Sequence, residues 1–453
     1  MFVESSLLEK IRARKATLTF LGLGHVGLPT AVIFARAGFR VTGIDTDSQK
    51  VRDLARGKCD IREPGLEETL VICLRNGSLR FGCSSSDVIN KSDIVSICVP
   101  TPVENTKPDM RNFQAAFDAV KRNAHMGMMI LIESTVPPST TSRLVAPELR
   151  SLGYKIDEDI LLAYCPERLS PSRALEEFAS NTRIIGGIGQ NSRRVAAELY
   201  KTVCRDVEVT DTLTAELAKV AENTFRDLNI AYANLLALIA ESLGADVNEV
   251  IRLANTHPRV AIHKPGLGVG GPCLPKDPYM LIQGASEDLG QMVKLARRLN
   301  DEMVIHAISL LAQTLTDRGF SIKGAKVAVL GVAYKPDTED VTNSPAKLLI
   351  QELLKRGAFV AVYDPCCAET FGAERASSAH EALKDRDCLI IATAHTNSVS
   401  VDLLAQSAKP GCVIFDGPRC LDPERVKRIG LTYLGTGYGT GERSREKGHS
   451  PGS

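Results

Sequence analysis

The chain has 453 residues, of which 44% are hydrophobic and 24% are charged. At roughly 100–200 residues per domain, this length predicts two to four domains. The 55 basic and 54 acidic side chains leave a formal net charge of +1, which gives no reason to expect a nucleic-acid or membrane partner. No apolar stretch reaches the roughly 20 residues that span a bilayer. The 12 cysteines lack the spacing of a disulfide framework or a zinc module. We therefore predict a cytoplasmic protein without a metal.

The pattern of the first 45 residues predicts a strand, a glycine turn, a helix and a second strand. An apolar run from residue 17 leads into the turn Gly22-Leu23-Gly24-His25-Val26-Gly27, and Asp45 closes the second strand. The first glycine permits the tight turn, the second lets backbone approach a pyrophosphate, and the third lets the helix pack on the strand. An acid in the place of Asp45 favours NAD over NADP, whose 2′-phosphate it repels. The pattern predicts an NAD site, and an ordinary glycine turn is the alternative.

Further apolar runs at 94–100, 128–135 and 160–167 alternate with helical patterns. Continuous apolar strands separated by helices indicate a parallel sheet that is covered on both faces. From Ala325 the same order of elements returns, with a second strand that ends at Asp364. This copy lacks the glycine fingerprint, so we expect it to bind something other than a second dinucleotide. The fold class predicted is α/β, with two Rossmann-like doubly wound domains.

A helical region lies between these two domains. Residues 212–244 have apolar positions at helical spacing and predict one long, largely buried helix. A second helical stretch is predicted over 285–316. On the long helix, Lys219, Asn223 and Arg226 share one face. Periodicity alone favours a solvated face for these three side chains.

A glycine-rich loop precedes one of the cysteines. Residues 266–271 contain four glycines, which let backbone approach a ligand closely, and Cys273 follows them beside Lys276 and Asp277. A cation next to a thiol favours the nucleophilic thiolate. Cys273 is therefore predicted to be functional, whereas the other cysteines are expected to be small buried side chains.

Together these motifs resemble the UDP-glucose/GDP-mannose dehydrogenase family. The resemblance extends over about residues 17–435, and it rests on the segments GLGHVGLPTA (22–31), VPTP (99–102), STVPPST (134–140), CPERL (165–169), ELAKVAENTFRDLNIAYAN (216–234), GVGGPCLPKDP (268–278) and GVAYKPDTEDVTNSP (331–345). It implies an NAD-binding domain over 1–211, a central helical dimerisation and catalytic region over 212–316, and a UDP-sugar-binding domain over 317–435. Residues 436–453 are expected to form a disordered tail. The resemblance also implies a homodimer or a higher homo-oligomer.

The activity that the resemblance implies is a four-electron oxidation of a sugar C6 alcohol to a carboxylate. Lys219 and Asp277 act as the base through an ordered water, and Cys273 captures the aldehyde as a thiohemiacetal that is oxidised to a thioester. Lys219 and Asn223 also stabilise the oxyanion. Thr135 holds water and Glu167 is a general base.

The remaining site residues are likewise implied by the resemblance. Thr101, Thr135 and Lys276 join the glycine turn in binding NAD. The residues implied in binding the UDP-sugar are Glu167, Arg168, Lys219, Asn223, Arg259, Gly270, Lys335 and Arg419. Arg259 is expected to reach the nucleotide across a subunit boundary.

Three positions depart from the family pattern. Pro171 replaces a second Glu of the UDP-glucose enzymes, Thr342 stands where an arginine is usual, and Pro418 shifts the arginine of a DGR block to Arg419. The first departure favours the branch that oxidises UDP-N-acetylhexosamines, particularly UDP-N-acetyl-D-mannosamine. The alternatives are a UDP-glucose or UDP-N-acetylglucosamine dehydrogenase, a two-electron hydroxy-acid dehydrogenase, and a non-catalytic NAD-binding regulator.

Overall fold

The computed structural model describes residues 3–84, 86–169 and 173–439. The chain divides into two compact units. Unit 1 takes the described part of residues 1–222 together with 279–284, and unit 2 takes the described part of 223–278 together with 285–453. None of the described helices combines the length and apolarity needed to cross a membrane.

The strands of both units are short and mostly buried. They are β1 Thr17–Leu21, β2 Arg40–Ile44, β3 Leu79–Gly82, β4 Ile94–Ile97, β5 Val103–Glu104, β6 Lys107–Pro108, β7 Met129–Ile132, β8 Leu161–Tyr164, β9 Arg183–Gly187, β10 Val207–Asp211, β11 Lys326–Leu330, β12 Phe359–Tyr363, β13 Glu374–Arg375, β14 Cys388–Ile391, β15 Val413–Asp416 and β16 Thr432–Gly435.

Helices follow most of the strands, and two of them are much longer than the rest. They are α1 Val3–Arg12, α2 Gly27–Arg36, α3 Ser48–Ala55, α4 Leu66–Arg75, α5 Ser86–Ile89, α6 Arg111–Arg122, α7 Ala146–Ser151, α8 Ala174–Ser180, α9 Gln190–Tyr200, α10 Thr212–Leu243, α11 Val247–Ala254, α12 Asp277–Leu281, α13 Glu287–Thr316, α14 Pro345–Lys355, α15 Ala379–Leu383, α16 Val401–Ser407 and α17 Pro423–Arg428. A π-helical turn, Thr141–Val145, precedes α7.

Unit 1 is built on an eight-stranded sheet in the order β10-β9-β8-β7-β4-β1-β2-β3. Neighbouring strands are parallel except β8 and β9. Met129 and Leu131 of β7 join one hydrophobic core, and Ile130 and Ile132 join another. Because successive side chains of a strand point to opposite faces, the two cores cover the two faces of the sheet. The predicted strands at 94–100, 128–135 and 160–167 are confirmed as β4, β7 and β8, each shorter than predicted.

Unit 2 repeats this plan with a six-stranded, wholly parallel sheet in the order β13-β12-β11-β14-β15-β16. Val327 and Val329 face one core, and Ala328 and Leu330 face the other. When the strands are numbered within each sheet, leaving out the separate β5–β6 hairpin, both sheets contain the strand order 3-2-1-4-5-6 of a dinucleotide-binding fold. The predicted α/β class with two doubly wound parallel sheets is therefore confirmed.

The long helix is present as α10, but the prediction that it is largely buried is wrong. Seven large apolar side chains on it are 39% to 73% exposed, namely Leu213, Leu217, Phe225, Tyr232, Leu235, Ile239 and Leu243. Apolar residues occupy more of the circumference of α10 than the single chain covers. Helical periodicity identifies the helix but cannot tell what its second apolar face packs against.

The predicted disordered tail is wrong at its first residues. Thr436 is buried, the N–H of Gly437 donates to Glu241 at 2.7 Å, and the N–H of Gly439 donates to the carbonyl of Ala245 at 2.9 Å. These contacts fix residues 436–439 against the end of α10. The rest of the predicted tail, 440–453, lies outside the described residues.

Candidate functional site

Two glycines of the turn in unit 1 stand at positions where the neighbouring backbone leaves no room for a side chain. Gly22 has a φ of +92°, and a Cβ at this position would lie 2.7 Å from the carbonyl oxygen of Cys98. A Cβ on Gly27 would lie 1.9 Å from the carbonyl oxygen of Gly22. A Cβ on Gly24, by contrast, would meet no protein atom within 4 Å. The turn is therefore closed on the protein side and open at Gly24, which fits the close approach of a pyrophosphate.

The start of α2 and the side chain of Asp45 complete this turn. No side chain caps α2, and of its first N–H groups that of Leu28 donates to the carbonyl oxygen of Gly24 at 3.1 Å, which leaves the N–H of Gly27 for an anion. Asp45 Oδ2 accepts the N–H of Leu23 at 2.9 Å, which ties the end of β2 to the turn. His25 is exposed and Val26 is half-buried. These residues have the geometry that an NAD site requires.

Three predicted residues of unit 1 follow adjacent parallel strands. Thr101 follows β4, Thr135 follows β7 and Glu167 follows β8, so all three lie at the carboxyl edge of the sheet. Thr101 Oγ1 donates to the carbonyl oxygen of Thr135 at 2.6 Å. In open α/β sheets, ligands bind at this edge near the point where the strand order reverses. Here that point lies between β1 and β4.

Lys219 is brought to the Glu167 segment by the first half of α10. Lys219 is 6% exposed, and its ammonium group donates to the carbonyl oxygen of Glu167 at 2.5 Å. The Glu167 carboxylate lies 4.0 Å away through Oε2, and its Oε1 accepts the N–H of Leu169. The solvated helix face that periodicity favours is therefore wrong for Lys219. Arg226 does match it, because its side chain is exposed.

The neighbouring Arg168 is also fixed in unit 1. Its Nη1 donates to the carbonyl oxygen of Thr182 at 2.8 Å, and its Nη2 lies 2.7 Å from Glu222 Oε1. Its Nε is buried without a hydrogen-bond partner among the described residues. The guanidinium of Arg168 is thus held in place through both of its Nη atoms.

Within unit 2, Asn223 and Lys276 both bind Asp277. Asn223 Nδ2 donates to Asp277 Oδ2 at 2.6 Å, and Lys276 Nζ donates to Asp277 Oδ1 at 2.6 Å. Asn223 is 8% exposed and the Asp277 side chain is fully buried. A buried carboxylate is stable when it is paired and hydrogen-bonded, as this one is. The predicted solvated face is therefore wrong for Asn223 too.

The glycine-rich loop places Cys273 next to this cluster. The N–H groups of Lys276 and Asp277 donate to the carbonyl oxygen of Cys273 at 3.0 and 2.9 Å, and the Cys273 side chain is half-buried. Upstream, a Cβ on Gly270 would lie 2.8 Å from Cβ of Tyr334. The predicted nucleophile Cys273, the cation Lys276 and the acid Asp277 therefore lie within five consecutive residues.

The remaining predicted substrate residues of unit 2 have different environments. Lys335 is half-buried, with its ammonium 5.7 Å from the centre of the Tyr334 ring, and Arg259 is exposed. Arg419 donates to Tyr433 Oη at 3.1 Å, to the Thr436 carbonyl at 3.1 Å and to Asp246 Oδ2 at 2.8 Å. The side chain of Arg419 is thus already engaged within unit 2.

One group among the described residues has the composition of a metal site. Asp364, Cys366 and His395 lie at the ends of β12 and β14, with ligand atoms within 4.8 Å of one another. However, His395 Nδ1 accepts the N–H of Asp337 at 3.0 Å, and Nε2 lies 2.9 Å from Asp364 Oδ2. An imidazole that already uses both nitrogens has no lone pair for a metal. We assign no metal to this group.

Sequence reasoning missed a buried ion pair that holds the Thr135 and Glu167 segments. Arg183 Nη2 donates to Glu133 Oε2 at 2.5 Å and to the carbonyl oxygen of Cys165 at 3.0 Å. Glu133 ends the β7 segment and Cys165 begins the loop after β8. Both charged side chains are buried, so the pair joins two loops of the candidate site. The one signal in the sequence is a lone arginine at the start of an apolar strand.

Comparisons with known proteins agree over most of the chain. Residues 16–204 match the NAD binding domain, residues 213–302 the central domain, and residues 328–423 the UDP binding domain of the UDP-glucose/GDP-mannose dehydrogenase family. A Pyrococcus horikoshii protein named UDP-N-acetyl-D-mannosamine dehydrogenase is 37% identical over 425 residues, which cover 93% of this chain and 99% of that protein.

Solved structures agree with these matches. The structure of UDP-D-ManNAc dehydrogenase from Pyrococcus horikoshii is similar with a TM-score of 0.87 and 37% identity, over 94% of this chain and 100% of that one. The structure of an NDP-N-acetyl-D-galactosaminuronic acid dehydrogenase from Methanosarcina mazei has a TM-score of 0.84 and 33% identity, over 99% and 100%. With the glycine turn, the Asn223–Asp277 cluster and Cys273 in place, these matches establish that the chain belongs to the UDP-glucose/GDP-mannose dehydrogenase family.

Proposed function

We propose that the protein is an NAD-dependent 6-dehydrogenase that oxidises the C6 alcohol of a UDP-N-acetylhexosamine to the uronic acid, with UDP-N-acetyl-D-mannosamine as the first candidate. The observation that carries the proposal is the buried cluster of Asn223, Lys276 and Asp277 beside Cys273. The names of the Pyrococcus horikoshii relatives support this choice of sugar. We further propose that residues 1–211 bind NAD, that 212–316 form the catalytic and dimerisation region, and that 317–435 bind the UDP-sugar.

The residues of unit 1 fit NAD. The open side of Gly24, the uncapped start of α2 and the Asp45 carboxylate match the pyrophosphate and ribose of a dinucleotide. Thr101 and Thr135 would lie along the same sheet edge, and Lys276 is proposed to join them. When bound, NAD supplies the hydride acceptor for each oxidation.

In the first oxidation, the substrate hydroxyl must lose its proton as its carbon loses a hydride. Lys219 and Asp277 are proposed to act as the base that removes that proton through an ordered water. Asn223 holds the Asp277 carboxylate by one N–H of its amide. Its second N–H, together with the Lys219 ammonium, can stabilise negative charge on the substrate oxygen.

In the second oxidation, the Cys273 thiolate attacks the aldehyde carbon and forms a thiohemiacetal, whose oxygen takes a proton. Loss of that proton and of a second hydride leaves a thioester. Water then attacks the thioester carbonyl, the carbon–sulfur bond breaks, and the carboxylate and the thiolate are released. Glu167 is proposed as the base for this water and Thr135 as the side chain that orients it.

The residues proposed to bind the UDP-sugar carry groups that suit it. Arg168, Lys335 and Arg259 offer cations that suit phosphate oxygens. Gly270 would contact the UDP-sugar through its backbone. Arg419 would act indirectly, through the loop that its hydrogen bonds hold in place. Homodimer formation and a cytoplasmic location stay predictions of the sequence.

The test is NADH production with UDP-ManNAc, UDP-GlcNAc, UDP-GalNAc and UDP-glucose, with stoichiometry recorded. We expect two NADH per sugar and the highest kcat/KM with UDP-ManNAc. A single NADH per sugar would indicate a two-electron dehydrogenase. Tight NAD binding without turnover of any sugar would indicate a regulator, and a preference for UDP-glucose would move the enzyme to another branch.

Replacement of the nucleophile separates the two oxidations. In Cys273→Ser, a hydroxyl replaces the thiol, so we expect the second oxidation to slow by at least about 10²-fold while the first continues. The matched control is Cys59→Ser, because this thiol is half-buried like that of Cys273 and is not among the residues of the candidate site. Two NADH per sugar at the wild-type rate from Cys273→Ser would exclude the covalent route.

A further inference from the structure

A chain of buried polar side chains in unit 2 leads from α13 to the glycine-rich loop. Arg297 Nη1 donates to Asp227 Oδ1 at 2.6 Å, and Asn300 Nδ2 donates to the same oxygen at 2.9 Å. Asn234 Nδ2 then donates to Asn300 Oδ1 at 2.9 Å. Finally, Asn234 Oδ1 accepts the N–H of Gly266 at 2.9 Å. The first residue of the loop is therefore connected to a buried ion pair through two amides.

The members of this chain are almost fully excluded from solvent. Asp227, Asn234 and Asn300 have no exposed surface and Arg297 is 3% exposed. Burial raises the pKa of Asp227, and the adjacent Arg297 acts against that rise. Asp227 Oδ2 and Arg297 Nε have no hydrogen-bond partner among the described residues. The other polar groups are joined in one arrangement, because a displacement would leave more buried groups without a partner. It is thus a rigid support for whatever it touches.

The glycine-rich loop also contacts the buried polar network at a second position, Gly268. Gly268 has a φ of +134°, and a Cβ there would lie 2.9 Å from the carbonyl oxygen of Asn300. Asn300 therefore contacts the loop directly through its backbone and indirectly through Asn234. Both contacts precede Cys273 by only a few residues.

The other side of the loop is held by the segment after β11. The N–H of Gly271 donates to the carbonyl oxygen of Thr342 at 2.8 Å, and Asn343 Nδ2 donates to the carbonyl oxygen of Gly271 at 3.1 Å. A Cβ on Gly271 would lie 2.8 Å from the Tyr334 ring. The loop is thus fixed at both ends, and Cys273 is the second residue after the downstream end.

We propose that Asn234 is a positioning residue for Cys273. It acts through Gly266 and transmits the fixed geometry of the Asp227–Arg297 pair to the loop that presents the thiol. This inference rests on the proposed function for the catalytic use of Cys273, but the placement of the thiol can be measured without any sugar. Small displacements of a reacting group cost large factors in rate, so a loosened loop should slow chemistry at Cys273.

The test uses Asn234→Leu in the full-length chain, which keeps the size of the side chain and removes both hydrogen bonds. Alkylation by iodoacetamide is followed by mass spectrometry of the peptide that contains Cys273. We expect its rate to fall at least about fivefold, and kcat with the preferred UDP-sugar to fall at least about tenfold while KM for NAD stays within about twofold.

The matched control is Asn229→Leu. Asn229 also lies on α10, donates to the carbonyl oxygen of Ala261 at 2.8 Å and accepts the N–H of His263 at 2.8 Å. Asn229→Leu therefore also removes one donated and one accepted hydrogen bond from a side chain of α10, but neither bond is made to residues 266–271. We expect its Cys273 alkylation rate to equal that of the wild type.

An alkylation rate of Cys273 in Asn234→Leu that is unchanged or raised, or a fall of equal size in Asn229→Leu, would overturn the proposal. If Asn234→Leu does not fold, Asn234→Asp replaces it, because it keeps the acceptor for Gly266 and loses the donor to Asn300. Its alkylation rate should also fall, and an unchanged rate would count against the role. If the wild type oxidises no UDP-sugar, the proposed function fails while the alkylation comparison still decides the role of Asn234.

Discussion

Asn223 Nδ2 lies 2.6 Å from Asp277 Oδ2, so an amide on α10 and an acid four residues after Cys273 share one buried hydrogen bond. The bond fixes the carboxylate and leaves its other oxygen to Lys276. Both oxygens of the carboxylate are therefore hydrogen-bonded, one to a neutral donor and one to a cationic donor, and its orientation beside Cys273 is fixed.

Asp277→Asn should remove this base and preserve the fold. We expect kcat to fall by about 10²–10⁴-fold, since general-base catalysis contributes factors of that order. KM for NAD should stay within about threefold, and circular dichroism at the assay temperature checks that the variant, which loses the charge paired with Lys276, remains folded. The control is Asp288→Asn, an exposed acid in the first turn of α13. A variant that retains more than a tenth of wild-type kcat would exclude Asp277 as the base.

The carboxylate of Asp45 should set the choice of cofactor. Asp45→Asn keeps an acceptor for the N–H of Leu23 but removes the charge that repels a 2′-phosphate. We expect the ratio of kcat/KM for NAD to that for NADP to fall at least about tenfold, a change of about 1.4 kcal/mol. Asp47→Asn is the control, because Asp47 caps α3 through Gln49 and Lys50. An unchanged ratio in Asp45→Asn would contradict a ribose-binding role.

The Arg183–Glu133 pair should dominate the stability of unit 1. Arg183→Met leaves the Glu133 carboxylate buried without its partner, and it also removes the cation that lies 4.6 Å from the centre of the Tyr200 ring. Breaking a buried pair from one side typically costs about 3–5 kcal/mol. Urea unfolding followed by fluorescence or circular dichroism measures the loss.

The comparison for this prediction is a solvent-exposed pair in the same unit. Arg12 lies 2.8 Å from Glu198, with most of the arginine side chain in solvent. Exposed pairs contribute little, so Arg12→Met should leave the urea midpoint unchanged. Equal losses in the two variants would mean that burial does not govern the strength of the Arg183 pair.

Asp364 should make unit 2 sensitive to acid. Burial acts to raise the pKa of Asp364, but hydrogen bonds from His395 and from the N–H groups of Val332, Cys366 and Ala333 outweigh it and hold the pKa well below its usual range. Because the folded-state pKa lies below that of the unfolded chain, near about 3.9, the stabilisation is complete above that pH and is lost as the pH falls toward the folded value.

The measurement for this prediction is the free energy of unfolding between about pH 6 and pH 2. In the wild type it should fall with decreasing pH, and in Asp364→Asn it should fall less, because the variant has lost this titration. Asp402→Asn, an exposed acid on α16, should keep the wild-type slope. Parallel curves for the wild type and Asp364→Asn would show that Asp364 does not contribute to acid sensitivity.

Local features of the chain were predictable from sequence because each has a local physical cause. The turn at Gly22, the acid Asp45 and the helix α10 follow from steric demand, charge and periodicity. Partners distant in sequence were not predictable. Nothing in the residues around Arg183 indicates Glu133, and nothing around Asn234 indicates Asn300, because these contacts depend on how strands and helices are ordered in space. The exposed apolar face of α10 was missed for the same reason.

The two Rossmann-like units use an acid at the end of the second strand in the same way. Asp45 accepts a backbone N–H of its glycine turn, and Asp364 accepts the N–H groups of Val332 and Ala333 at 2.7 and 3.1 Å. In unit 2 the carboxylate is further occupied by His395. An acid in this position therefore stabilises the turn by accepting its backbone N–H groups, and its presence in a sequence does not by itself identify a nucleotide site. The glycine pattern beside the acid is needed to predict that it also binds a ribose.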